Sequence, residues 1–98
     1  MKLEDIKSLL DSNDRAVERA MVVLFERQTA DEQASNTTSH KNGRGFNGLD
    51  ANFGSSLARQ VMAGRRLSPK QLQYARKMAH KYAGQLLEEA ELKANRAA

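Results

Sequence analysis

Apolar side chains in this chain fall on a helical period from the first few residues. Leu3, Ile6 and Leu9 or Leu10 recur at a spacing that predicts a short amphipathic helix over 2–10. Asp11, Ser12, Asn13 and Asp14 interrupt it and supply side chains suited to capping the next helix. From about 14 to 33, Val17, Ala20, Met21, Leu24, Phe25 and Gln28 keep the i, i+3, i+4, i+7 pattern, with no Gly or Pro among them. That segment is the second predicted helix.

Residues 35–45 carry no large apolar side chain and read as an exposed, mobile loop. The run Gly45-Phe46-Asn47-Gly48-Leu49-Asp50-Ala51-Asn52-Phe53-Gly54 differs. Its Gly, Asn and Asp residues mark tight turns, but Phe46, Leu49 and Phe53 predict a loop folded onto the core. A third helix is expected over 54–63, with Leu57 and Val61 inward and Gly64 as its left-handed stop. The fourth has the clearest start. Ser68 is placed as N-cap, Pro69 at the first helical position and Gln71 to complete a capping box, with Leu67 and Leu72 as a hydrophobic staple. Only Gly84 opposes its running past residue 90, at about 1 kcal/mol relative to Ala.

At about 100° per residue, with Lys70 set to zero, Lys77 falls near −20°, Lys81 near +20° and Tyr74 near +40°. Leu72, Ala75, Ala79, Tyr82 and Leu86 occupy the opposite face, so the lysines form a stripe turned away from the core. An unbroken helix over 69–92 would be about 36 Å long. A folded chain of this length has a radius of gyration of about 12.5 Å. The helix is therefore expected to outrun the core and leave a polar extension over 88–98.

Charge sharpens this picture. The 98 residues carry a net +4, but residues 1–34 sum to −3 and residues 41–81 to +8, with Asp50 the lone acid of the second stretch. Such a basic stretch attracts polyanions. The hydrophobic fraction of 40% fits a single small helical domain over 1–98 better than a disordered chain. No apolar run reaches membrane-spanning length, and no secretory h-region follows Met1-Lys2-Leu3-Glu4-Asp5, so a cytoplasmic protein is expected. With no cysteine, disulfides, thiolate nucleophiles and Cys-based zinc sites are excluded.

Other chemistries find little support. Gly43-Arg44-Gly45-Phe46-Asn47-Gly48 spells G-x-G-x-x-G, but no strand precedes it, which removes the dinucleotide reading. A backbone anion nest flanked by Lys41 and Arg44 stays open. His40 and His80 lack metal-ligand spacing, so no metal and no cofactor are expected. Asp31-Glu32 and Glu88-Glu89 diverge by about 100° and do not form a two-carboxylate site. Asp50 is expected to cap a helix or pair with Arg44 or Arg59. No catalytic residue is assigned, and the protein is expected not to be an enzyme.

The residues Gly45-Phe46-Asn47, Asp50, Gly54-Ser55-Ser56-Leu57-Ala58, Leu67-Ser68-Pro69-Lys70-Gln71, Ala75-Arg76-Lys77 and Lys81-Tyr82-Ala83-Gly84-Gln85-Leu86 form a recognisable set. It resembles a small helical module of short phage-encoded proteins that also accompanies some DNA helicases. The resemblance spans roughly residues 42–87 and implies a place in DNA transactions, without catalytic residues to carry over. The expected fold is all-α, a small bundle of about four helices with an ordered Gly-rich loop and a long C-terminal helix. The expected function is a non-enzymatic accessory protein that binds nucleic acid through Arg44, Arg59, Arg65, Arg66, Lys70, Lys77 and Lys81, with Phe46 or Tyr74 stacking on bases. The alternative is a phage-type modulator that docks on a host nucleic-acid-processing or defence complex. A helical oligomer is a third possibility.

Overall fold

A computed structural model describes the backbone of residues 2–35 and 45–97. Five helices follow in order: α1 Leu3–Ser12, α2 Asp14–Ser35, α3 Ala51–Met62, α4 Pro69–Lys81 and α5 Ala83–Ala97. The described residues contain no strand. The all-α class is therefore as expected, with one more helix than the hydrophobic pattern suggested.

Helix α2 is central and packs against all four others. Its Val17, Met21 and Leu24 are fully buried, meeting Ile6 and Leu10 of α1, Leu57 and Ala58 of α3, Ala75 and Ala79 of α4, and Leu86 of α5 in one core. The i, i+3, i+4, i+7 pattern of α2 thus marks its inward face. The break between α1 and α2 is the single residue Asn13, whose side-chain Oδ1 accepts from the Ala16 amide at 3.1 Å. The α3–α4 turn is held by Gly64 at φ +87° and by paired Gln60 and Gln71 amides, each donating to the other at 3.0 Å. Ser68 caps α4 as expected: its Oγ accepts from the Gln71 amide at 3.1 Å, and the Gln71 side chain accepts from the Ser68 amide at 2.9 Å.

The unbroken fourth helix is a correction. The chain turns at Tyr82 (φ −106°, ψ 20°), and α5 restarts at Ala83, so the break falls two residues before Gly84. Tyr82 is buried, with its ring edge-on to Phe46 at 5.9 Å, and tertiary packing overrides the local helical preference there. Helix α5 then folds back along α1 and α2 instead of projecting, and the molecule spans 36 × 32 × 23 Å. Arg27 fixes that return, donating to the Gln85 carbonyl at 2.7 Å and pairing with Glu88.

The Gly-Phe-Asn loop is ordered, as expected, but begins α3 three residues early. Asn47 Oδ1 accepts from the Asp50 amide at 2.9 Å, and its carbonyl accepts from the Ala51 amide at 2.9 Å, which opens the helix at Ala51. Gln85 clamps the loop from α5: it accepts from the Gly45 amide at 2.7 Å and donates to the Gly45 carbonyl at 3.0 Å. Of the three apolar residues expected to fold inward, only Phe46 does. Leu49 is 93% exposed and Phe53 43%. Residues 36–44, and with them most of the expected mobile loop, Gly43 and Arg44 of the G-x-G-x-x-G run, and Lys41, lie outside the described residues.

Candidate nucleic-acid interface

The basic middle of the chain divides once folded. Arg66 lies against Glu18 of α2, its Nε donating to the carboxylate at 2.9 and 3.1 Å. Arg76 pairs with Asp14 and donates to the Leu10 carbonyl at 2.8 Å, closing the C-terminal end of α1. His80 contacts Asp11 at 2.7 Å. Arg59 sits over the Phe25 ring at 5.3 Å. Lys81 donates to Asp50 at 2.9 Å. The cations of the basic stretch are therefore not equivalent once folded: Arg66 and Arg76 are matched to Glu18 and Asp14 of α2, and Lys81 to Asp50. Glu18 and Asp14 lie far from their partners in sequence, so a running charge sum cannot register those two pairings.

What remains is narrower. Among the described residues of the basic stretch, Arg59, Arg65, Lys70 and Lys77 are exposed and form no ion pair, and of these Arg59 is laid over the Phe25 ring. Lys70, Tyr74, Lys77 and Lys81 share one face of α4 at i, i+4, i+7 and i+11. Tyr74 is 51% exposed. Phe53 of α3 meets it edge-on, with ring centroids 6.1 Å apart at 83°. An open groove of about 470 Å³ runs beside Tyr74 and Lys77, bounded by Asp11, Gln73, Arg76 and His80.

Phe46 does not belong to this face. Its ring is buried against Tyr82 and fills the space above Gly54, where a Cβ would fall 2.5 Å from a ring carbon. It cannot stack on a base without unpacking the loop. Phe53 takes its place among the exposed rings. With α3 starting at Ala51, Phe53 stands about 120° from the buried direction through Gly54 and Ala58. The start of α3 at Ala51, three residues before the expected boundary, is what turns this ring outward.

Asp50 anchors one end of the face. It precedes α3 but makes no side-chain cap. Instead its Oδ2 accepts from Tyr82 Oη at 2.6 Å and Lys81 Nζ at 2.9 Å, while Tyr82 Oη accepts from the Asn47 amide at 2.9 Å. Burial pushes the Asp50 carboxyl up, but the Tyr82 and Lys81 hydrogen bonds and the Lys81 charge outweigh it and hold the group below its ordinary value. Burial pushes the Tyr82 phenol up to about 12; the Asn47 amide opposes this and Asp50 reinforces it.

The sign of each pH effect follows. Between pH of about 10, where an unfolded tyrosine ionises, and about 12, the folded state keeps a proton the unfolded state has lost. Stability contributed by Tyr82 is full below that window and is lost as pH rises through it. Asp50 contributes above the ordinary carboxylate range and loses its contribution as pH falls through its lowered value. Tyr82→Phe is expected to cost about 1–2 kcal/mol at neutral pH, by orphaning the Asn47 amide, and to flatten the alkaline decline. Denaturation midpoints of both proteins across pH 7 to 12 check this; an unchanged alkaline slope contradicts it.

Among the described residues no helix is long and apolar enough to cross a membrane, and no cluster of His, Asp or Glu could hold a metal ion. No family model, curated protein or solved structure matches the chain.

Proposed function

We propose that this protein is a non-enzymatic accessory factor in DNA transactions that binds nucleic acid through the outer face of α4. The observation that carries the reading is Lys70 and Lys77 standing on one exposed face without acid partners, while three neighbouring cations are each matched to a carboxylate. Lys70, Lys77 and Arg65 contact phosphates in this reading. Lys81, tied to Asp50, borders the contact, and Arg66, Arg76 and Arg59 serve the fold. Phosphate contacts of this kind give affinity with little sequence discrimination.

Charge reversal tests it. Lys70→Glu with Lys77→Glu is expected to weaken oligonucleotide binding by about tenfold or more, measured by fluorescence anisotropy at fixed salt, with the circular dichroism spectrum unchanged. Equal affinity in the double variant and the parent contradicts the assignment. Leu49, nearly fully exposed and four residues before the exposed Phe53, favours a second reading: a phage-type modulator that docks on a protein of a nucleic-acid-processing complex. A partner retained after nuclease treatment and lost on Leu49→Ser supports that reading.

A further inference from the structure

We infer that Phe53 and Tyr74 form a stacking platform for unpaired bases, which makes the ligand single-stranded nucleic acid. This rests on the nucleic-acid reading above and narrows it. The chain has five aromatic residues, three Phe and two Tyr. Phe46 and Tyr82 are buried against each other, and Phe25 is covered by Arg59. The remaining two are the exposed ones, and they touch.

In a T-shaped pair the ring that contributes its edge keeps both faces clear of its neighbour, and the other keeps one. At 83° the Phe53–Tyr74 pair therefore presents ring faces that a flat base can cover. Lys70 and Lys77 lie on either side of Tyr74, four residues before and three after, about 10 Å apart along the helix axis. A base on the platform thus has a cation available for the phosphate on each side. In a duplex the base faces already stack on one another, so the rings gain nothing from it except at ends. Unpaired bases offer open faces of every type, which gives strand selectivity without sequence selectivity.

The test uses the full chain with labelled oligo-dT of about 20 nucleotides, a typical multiple of single-strand site sizes, and a duplex of equal length. The parent is expected to favour the single strand. Tyr74→Leu and Phe53→Leu keep apolar volume at half-exposed sites, and each is expected to weaken single-strand binding by about 5- to 100-fold, with duplex affinity unchanged and Tyr74→Phe close to the parent. Intrinsic fluorescence adds a direct readout. The chain has no Trp, and its other tyrosine, Tyr82, is buried, so quenching by oligo-dT reports on Tyr74 and disappears in Tyr74→Leu. Equal affinity for both strands, insensitive to the two Leu variants but still dependent on Lys70 and Lys77, overturns the platform and leaves the phosphate-binding reading standing. Binding of neither oligonucleotide overturns both. A protein partner released by Tyr74→Leu, with oligonucleotide affinity untouched, overturns the platform in favour of protein docking.

Discussion

Replacing Phe46 with Ala is expected to lower the unfolding free energy by about 3–5 kcal/mol. The ring is 7% exposed and sits where three elements meet: the Gly-Phe-Asn loop, the start of α3 and the α4–α5 break. Its removal empties the space above Gly54 and deprives Tyr82 of its edge-on partner. A chain of this size has a total stability of about 5–15 kcal/mol, so the loss is a large share of the whole. Urea denaturation of the two proteins measures it. A cost within about 0.5 kcal/mol, the range of an ordinary surface change, would mean that the loop is not anchored by this ring. The same contact makes Gly54→Ala harmful in the parent and much less so with Ala at 46, because the atoms that a Cβ would strike are then gone. That non-additivity is the signature of a direct contact.

Glu18→Ala is expected to cost about 2–3 kcal/mol. Its carboxylate is 3% exposed and carries two duties. It accepts from Arg66 Nε, and its Oε2 also accepts from the Leu67 backbone amide at 2.9 Å. Without it a buried N–H has no acceptor, and the segment leading into α4 comes loose from α2. Arg66→Ala leaves that carboxylate with the amide alone and is also destabilising. The two effects should not add, since each change breaks the same contact. A double variant whose cost equals the sum of the single ones would show that Glu18 and Arg66 act separately. Arg66 is thereby expected to alter stability while leaving nucleic-acid affinity nearly unchanged, which separates it from Lys70 and Lys77.

Much of the scaffold was legible in the residues. The start of α4 could be read from Ser68, Pro69 and Gln71, because capping is local chemistry whose partners lie within four residues. The inward face of α2 could be read from the spacing of Val17, Met21 and Leu24. The break at Tyr82 could not. Neither Gly nor Pro stands there, and Leu72, Ala75, Ala79 and Leu86 keep one apparent face through the turn because α4 and α5 both pack on the same core. The turn depends on Phe46 and Asp50, more than 30 positions away. Distance in sequence also hid the pairing of Arg66 with Glu18 and of Arg76 with Asp14. Phe46 and Phe53 belong to the same turn-rich run, yet one is buried and the other exposed. The start of α3 decides between them, and Asn47 places it at Ala51 through contacts that composition does not reveal. The lysine stripe with Tyr74 was visible on the helical wheel. Its selection over the other cations became visible only when the others met their carboxylates.

The measurement closest to the central claim is the salt dependence of oligonucleotide binding, which reports how many phosphates the protein neutralises. The slope of log affinity against log salt is expected to fall in magnitude by about 0.7 for each lysine removed from a single-strand contact. Lys70→Ala with Lys77→Ala should therefore flatten the slope by about 1.4. Arg19→Ala with Lys93→Ala, which removes two cations from the α1–α2–α5 side, should leave it unchanged. Equal slopes for the two double variants would contradict the account, because the polyanion would then not be reading the outer face of α4.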